Sequence, residues 1–210
     1  MQGIAEFVEK GGFFMYLNIL TSVVVLATIV ERVVFILTKY RVNSREFLAQ
    51  IRKLVQAGNI DRAIKLCEAA PLPLLQIVKA GLTQANRGEE AVVAAIEERM
   101  LDVAPELQKR IAALWSLANI ATLLGLLGTI TGLIRAFEAV SFASPERRSA
   151  LLSLGISEAM NNTALGLGIA VTCMIAHLFL SGASKRIAAD LERTAVKLEN
   201  LLTLKNKVAG

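Results

Sequence analysis

Two threonines lie at matching positions in two uncharged segments of this 210-residue sequence. Thr129 lies six residues before Arg135, and Thr163 lies five residues after Glu158. At a helical rise of about 1.5 Å per residue, Thr129 lies roughly 9 Å before the C-terminal end of its segment and Thr163 roughly 8 Å after the N-terminal end of the next, so both lie at one depth if these two ends face the same side. Because hydroxyls donate and accept hydrogen bonds, two of them at one depth can line a polar path. The alternative is that each threonine bonds the carbonyl four residues earlier in its own helix and packs against small residues.

Two titratable side chains flank these threonines. Glu158 stands at the start of the last uncharged segment, where it is either a structural helix cap or a group at a pore mouth or helix interface. His177 shares a helical face with Thr163 and is either a hydrogen-bonded packing residue or part of a polar lining on the cytoplasmic side. No Asp, Glu, Lys or Arg lies inside the uncharged segments. A transport role therefore requires a partner that brings the titratable group.

Three uncharged segments carry the hydrophobic excess of the sequence, in which 54% of residues are hydrophobic and 20% are charged. They span 11–30, 111–134 and 159–184. Each reaches the roughly 20 residues that a helix needs to cross a bilayer. The sequence therefore predicts an all-α integral membrane protein with three transmembrane helices and long cytoplasmic helical extensions.

Lysine and arginine counts predict the orientation in the membrane. The segment 39–110 holds twelve and the tail from residue 185 holds six, whereas the N-terminal segment and 135–158 together hold four. Positive residues are enriched on the cytoplasmic side, so we expect the N-terminus outside and the C-terminus inside. The predicted segments are 1–38 (periplasmic N-terminus and transmembrane helix 1), 39–110 (cytoplasmic helical loop), 111–136 (transmembrane helix 2), 137–157 (short periplasmic connection), 158–184 (transmembrane helix 3) and 185–210 (cytoplasmic helical tail).

The cytoplasmic segments read as helical throughout. Gly58, the pair Pro71 and Pro73, and Gly88 mark breaks between helices of the loop, and from residue 89 onward only Pro105 interrupts helical sequence before the second span. Apolar residues recur near heptad spacing in the tail, which predicts a continuation of the third span into a short bundle or coiled coil.

Small residues share one face of the second and third spans. Gly125, Thr129 and Gly132 lie on one side of the second span, opposite a set of aliphatic residues. Gly128 and Gly132 form a G-x-x-x-G spacing, which permits close helix approach in membranes. Gly166 lies on the small-residue face of the third span. We therefore expect close helix packing at all four glycines.

Several classes of function lack their residue patterns. Two unpaired cysteines and one histidine do not make a zinc or multi-histidine site. The sequence contains no H-E-x-x-H, no G-x-S-x-G and no P-loop. The basic segments lack the aromatic residues that stack on nucleic acid. We expect no enzyme activity, no catalytic residue, no metal, no cofactor and no nucleic-acid partner.

Two motifs carry a family resemblance. The stretches GLLGTITGLIRAF at 125–137 and GISEAMNNTALGLGIAV at 155–171, with Glu31-Arg32 after the first span, resemble the MotA/TolQ/ExbB proton-channel family. Three spans with a large first loop resemble ExbB and TolQ more than the four-span MotA. The resemblance implies a bacterial inner-membrane subunit that forms a homopentamer around the single transmembrane helices of two ExbD- or TolR-like partners.

The resemblance also implies roles for residues. The partner's transmembrane aspartate would carry the proton, Thr129 and Thr163 would line its path, and Glu158 would be the family's acidic residue at the start of the third span. Thr172 stands where relatives often carry proline, and His177 replaces a usually uncharged residue, so helix geometry and the cytoplasmic exit can differ.

The implied function is that of a proton-channel or stator subunit of a motor complex, which converts proton motive force into mechanical work on the cell envelope. The alternative is a non-conducting scaffold that assembles a partner helix. The choice between proton and sodium stays open. Outer-membrane transport, envelope maintenance and gliding motility all fit as the driven process.

Overall fold

The protein is helical throughout its described part. The structure is a computed structural model that describes residues 12–40 and 44–209, with side chains described through residue 203. No strand occurs in these ranges. The helices are α1 (Gly12–Lys39), α2 (Ser44–Gln56), α3 (Ile60–Cys67), α4 (Pro73–Thr83), α5 (Glu89–Gln108), α6 (Ile111–Ser141) and α7 (Pro145–Ala209). Three apolar stretches, in α1, α6 and α7, are long enough to cross a membrane. The predicted all-α class and the three spans are confirmed.

The chain forms two compact units. The membrane unit comprises residues 12–31 together with 110–179, and the helical unit comprises 32–40, 44–109 and 180–209. Helices α1 and α7 each contribute to both units, while α6 belongs to the first unit and α2 to α5 belong to the second.

The helical unit has its own apolar core. The tail of α7 packs into it, because Leu191 and Leu198 are buried and Ile187 is partly buried against them. The predicted tail therefore joins an intrachain helical bundle. The largest fully buried side chains of this core are Ile51, Val55, Ile77, Val78, Leu82, Ile96, Leu107, Leu198 and Leu202.

A buried arginine stands at the start of the helical unit. The guanidinium of Arg32, whose side chain is buried, donates to the backbone carbonyl of Glu106 at 3.1 Å and lies 4.9 Å from the centre of the Phe35 ring. A guanidinium removed from water requires such partners. Arg32 thereby joins α1 to the C-terminal turn of α5.

The break between α5 and the helix of the second span lies after Pro105, the position at which the sequence predicts it. Pro105 is accommodated in the last turn of α5, which continues to Gln108. The chain then turns at Lys109, with ψ 132°, and at Arg110, with φ 63°. The positive φ of Arg110 is unfavourable for a residue with a side chain. The guanidinium of Arg110 contacts the carboxylate of Glu31, which is the last residue of α1 in the membrane unit.

Two carboxylates of the helical unit lie close to each other, and they lead to a pH prediction. Burial raises the pKa of Glu199 on α7, and the Glu97 carboxylate on α5 raises this pKa further. The folded chain therefore binds this proton more tightly than the unfolded chain, so the charged carboxylate lowers the free energy of unfolding. This penalty is complete above the folded-state pKa and vanishes below the unfolded-state pKa, near pH 4.

We expect Glu199→Gln to raise the melting temperature at pH 7.5 and to leave it nearly unchanged at or below pH 4. Thermal unfolding in detergent measures both values. Glu192→Gln removes an exposed carboxylate from the same helix and is the control. An equal gain for Glu199→Gln at both pH values would contradict the assigned cause.

Candidate functional site

The small-residue faces of α6 and α7 lie against each other in the membrane unit. On α6, Ala118, Gly125, Gly132 and Ala136 are buried. The aliphatic residues expected on the opposite face of α6 are exposed, at 58, 45, 47 and 52% for Leu123, Leu127, Ile130 and Ile134. One face of α6 is therefore used for helix packing, and the other is available to lipid or to a further protein chain.

Gly125 and Gly166 mark the closest approach of the two helices. A Cβ placed on Gly125 would lie 3.0 Å from the Asn162 carbonyl oxygen and 3.3 Å from the Cα of Gly166. A Cβ placed on Gly166 would overlap the carbonyl oxygen of Ala121 and lie 3.0 Å from the Cα of Gly125. Because these neighbours are backbone atoms, neither glycine can gain a side chain unless the helices move.

Gly128 and Gly132 lie at further contacts between the same helices. A Cβ on Gly128 would lie 2.7 Å from Cγ of the buried Asn162 side chain. A Cβ on Gly132 would lie 3.3 Å from the Cβ of Ala159. All four glycines for which close packing was predicted thus lie in the contact between α6 and α7.

The two threonines meet at this contact. The hydroxyls of Thr129 and Thr163 are within hydrogen-bonding distance of each other. The Thr129 hydroxyl also lies 3.1 Å from the carbonyl oxygen of Gly125 in its own helix and 3.1 Å from that of Ala159 in α7. The Thr163 hydroxyl lies 3.5 Å from the Gly125 carbonyl oxygen. Thr129 therefore bonds the carbonyl four residues earlier in its own helix, as the alternative to a polar path requires, and it also bonds the other helix.

This hydroxyl pair has more acceptors than protons. Each hydroxyl carries one proton, whereas the two carbonyl oxygens of Gly125 and Ala159 and the two hydroxyl oxygens can all accept. The protons can therefore be distributed in more than one way over the same heavy atoms. Both threonines are only partly buried, so the pair is open at the edge of the helix contact.

Glu158 lies inside α7 and does not cap it. The helix begins at Pro145, thirteen residues earlier, so the interpretation of Glu158 as the cap of its own helix is wrong. Its carboxylate lies at the beginning of α1 instead: a Cβ on Gly12 would be 3.2 Å from Glu158 Oε1 and 3.4 Å from an Nη atom of Arg135. The positive end of α1 and a guanidinium thus both lie close to this carboxylate. Gly12 itself has φ +64°, which favours glycine.

The segment expected as a connection between the second and third spans is largely helical. Helix α6 continues to Ser141 and α7 begins at Pro145, which leaves only 142–144 outside helices. Glu158 therefore lies well within a helix because the helix starts far before the uncharged segment.

His177 lies apart from the threonine pair. It follows Thr163 by fourteen residues, which is about 21 Å along the helix. Its Nδ1 lies 3.0 Å from the carbonyl oxygen of Ile111, and its ring centre lies 6.1 Å from that of Trp115. These contacts favour the interpretation of His177 as a hydrogen-bonded packing residue.

A polar residue of the first span, Asn18, was not singled out by the sequence patterns. Its side chain is completely buried. With its amide oriented to satisfy its neighbours, Asn18 donates to the carbonyl of Ala121 at 3.2 Å and accepts from the N–H of Gly125 at 3.3 Å. The available signal was that Asn18 is the only amide side chain of the first uncharged segment. Asn18 attaches α1 to α6 at the level where α6 meets α7.

We expect Asn18→Leu to lower the stability of the membrane unit by about 1 kcal/mol, since interhelical hydrogen bonds in membranes are typically of this size. Thermal unfolding in detergent measures the change. Thr21→Val is the control, because the Thr21 hydroxyl bonds the Leu17 carbonyl of its own helix. An Asn18 variant as stable as the Thr21 variant would speak against an interhelical role.

In the described part of the chain, no group of three or more His, Cys, Asp or Glu residues is placed to hold a metal ion. The hydroxyl pair lies in the contact between α6 and α7 in the membrane unit.

Comparison with known proteins assigns the family. The model of the MotA/TolQ/ExbB proton channel family matches residues 69–193, which is well over half of the chain and includes both threonines. The chain belongs to this family. Membership in the MotA/TolQ/ExbB family confirms the resemblance that the two motifs indicated. The family is one of proton channels.

Individual relatives of the family are ExbB-like. An ExbB-like biopolymer transport protein of Synechocystis sp. is 29% identical over 175 residues, covering 82% of this chain and 83% of that protein. An ExbB homologue of Methanothermobacter thermautotrophicus is 23% identical over 180 residues, covering 85% of this chain and 63% of that protein. The biopolymer transport protein exbB1 of Vibrio cholerae is 41% identical over 75 residues, covering 36% of this chain and 33% of that protein. Together with the three spans, these relatives make the chain a multi-pass membrane protein of ExbB type.

Proposed function

We propose that this chain is the channel subunit of a bacterial inner-membrane motor complex, in which proton flow is converted into mechanical work on the cell envelope. The contact between the Thr129 and Thr163 hydroxyls is the observation that supports this proposal most strongly. It lies in a member of a proton channel family, between the two helices that carry the family motifs.

In the proposed mechanism the hydroxyl pair relays protons. A hydroxyl can accept a proton from one side and release its own to the other, and the alternative hydrogen bonds with Gly125 and Ala159 allow this exchange without moving the helices. Hydroxyls do not ionise at neutral pH, so the pair cannot store the proton. A carboxylate must therefore come from outside the uncharged segments of this chain.

We assign that carboxylate to the transmembrane aspartate of an ExbD- or TolR-like single-span partner. Several copies of this chain, five by family resemblance, would surround the partner helix with the threonine pairs facing it. The edge at which both threonines are partly exposed supports such access. Protonation and release at the aspartate would then move the partner helix within the ring.

The proposed topology places the N-terminus in the periplasm and the C-terminus in the cytoplasm, with the segment bounds predicted from sequence. The lysine and arginine asymmetry supports this orientation. Glu158 would then lie near the outer mouth beside the start of α1, and His177 near the inner end of the third span.

Reconstitution tests the proposal. The chain is copurified with a coexpressed ExbD- or TolR-like partner, placed in liposomes with a trapped pH dye and subjected to a potential. We expect proton uptake that requires the partner and is lost when the partner's transmembrane aspartate is changed to asparagine. An intact complex without flux of either protons or sodium would support the scaffold alternative, which the close glycine packing of α6 and α7 also fits.

A further inference from the structure

The helical unit carries a basic groove between α2 and the tail of α7. The groove has a volume of about 470 Å³. Leu48, Ala49 and Leu201 form an apolar floor, and Arg45, Arg52 and Lys197 supply three positive charges at its border. These three charged side chains belong to exposed residues. A ligand of this groove should combine an apolar group with negative charges around it.

The same unit carries an acidic face on α5. Buried residues of α5 such as Val92 and Ile96 point to the core, and the face opposite to them at 100° per residue contains Leu101. Leu101 is 75% exposed. Glu97 and Glu98 lie one turn before Leu101 on this face, Glu90 lies three turns before it, and no residue of the face is Lys or Arg. The acidic face consists of Glu90, Ala94, Glu97, Glu98 and Leu101.

The basic groove and the acidic face lie at one level of the unit but on different sides of α7. On α7, Lys197 and Leu201 border the groove. Glu199 lies two residues from each of them, which places it about 160° away around the helix axis, on the side near Glu97 of α5. The buried Leu198 lies between these two sides. The two surfaces are therefore related by position about the axis of α7, and neither can cover the other within one copy.

We propose that the acidic face of one copy docks into the basic groove of the next copy. Leu101 would enter the apolar floor formed by Leu48, Ala49 and Leu201, and three carboxylates would face three cations. Two different surfaces at one level make a heterologous contact, which closes into a ring when the rotation between copies permits it. The inference rests on the proposed function only in that the chain works as a ring of copies.

We assign the groove to a second copy of this chain because each surface carries three charges, of opposite sign, together with apolar side chains, and the two surfaces lie at the same level of the unit. An acidic segment of the partner protein is the competing occupant. Electrostatic complementarity of this kind mainly sets which surfaces pair and in which register.

A photo-crosslinking amino acid at position 49 identifies the occupant directly in membranes. We expect an adduct of twice the chain's mass, with the crosslink in the α5 peptide that contains Leu101. An adduct to another protein, or to a different segment of a second copy, overturns the proposal.

Engineered cysteines provide a second measurement. Oxidation of the double variant Ala49→Cys with Leu101→Cys should give a ladder of linked copies, whereas Ala49→Cys with Thr83→Cys, which places the second thiol on an exposed residue of α4, should give none. The native Cys67 and Cys173 can stay, since both are buried and burial raises the pKa of Cys67 to about 11. Equal yields for the two double variants overturn the proposal.

Charge reversal tests the pairing within the same assay. Glu98→Lys should reduce the Ala49–Leu101 crosslinking yield roughly two- to fivefold, the range expected for one exposed ion pair. Adding Arg52→Glu should restore it. A crosslinking yield that stays the same in both charge variants overturns the assigned contact. The size of the complex extracted in detergent separates the failures: several copies without the crosslink overturn this interface alone, whereas a single copy overturns the ring of the proposed function as well.

Discussion

We expect the double variant Thr129→Val with Thr163→Val to lose partner-dependent proton flux to the level of empty liposomes, while its complex assembles normally. Valine keeps the branched shape of threonine but removes the hydroxyl, so the packing between α6 and α7 is retained and the relay is lost. The relay requires both oxygens, because each hydroxyl must accept a proton on one side while it passes its own proton to the other hydroxyl or onward. Each single valine variant should therefore reduce flux nearly as much as the double variant.

The stability of the complex should change little in these variants. The hydrogen bonds removed are of the interhelical kind that contributes about 0.6 kcal/mol on average in membranes. Flux in liposomes and the size of the complex in detergent together measure both effects. Normal flux in the double variant would reject the relay.

Thr131 provides a matched control for this experiment. It is two residues from Thr129 on the same helix, and its hydroxyl bonds the carbonyls of Leu127 and Gly128 in α6. Thr131→Val removes the same chemical group without touching the pair, so flux should stay normal. Thr163→Ser should keep part of the flux, because it restores a hydroxyl with a less restricted rotamer.

The helical faces could be predicted from sequence because they depend on local periodicity. Small residues at helical spacing placed Gly125, Thr129 and Gly166 on facing surfaces, and the structure brings these residues together. The equal depth of the two threonines in their uncharged segments could also be predicted, whereas their contact is a finding of the structure. The proton role of the pair stays a prediction.

Features that depend on helix ends could not be predicted in the same way. The interpretation of Glu158 as a helix cap assumes that the helix starts where the uncharged segment starts, but a helix can begin before the apolar sequence, and α7 begins at Pro145. The sequence predicts an interruption at Pro105, yet the structure holds this proline in the last turn of α5, and the break occurs at Lys109 and Arg110. Asn18 required knowledge of a third helix, which periodicity within one segment does not supply.

The second large effect is expected from Gly166→Ala. Its new methyl group would overlap the carbonyl oxygen of Ala121 and lie 3.0 Å from the Cα of Gly125. Backbone atoms of a packed helix cannot rotate away, so α6 and α7 must separate or slide. Overpacking of this kind typically costs about 1 to 3 kcal/mol. We expect a lower melting temperature, measured through the fluorescence of Trp115, the single tryptophan of the chain.

Gly168→Ala is the matched control, because Gly168 lies two residues further along α7 and a Cβ there would have no heavy atom within 4 Å. Its melting temperature should equal that of the unmodified chain or exceed it, since alanine favours helix over glycine. Equal melting temperatures for the two alanine variants would contradict the close approach of the helices at Gly166.

The flux of the Gly166 variant connects packing with the relay. Thr163 lies one turn before Gly166, so separating the helices at Gly166 should also pull the two hydroxyls apart. Gly166→Ala should therefore lose both stability and flux, whereas the valine variants of Thr129 and Thr163 should lose flux alone. A Gly166 variant that melts early but conducts normally would show that the hydroxyls do not need their present contact, and would place the proton path elsewhere.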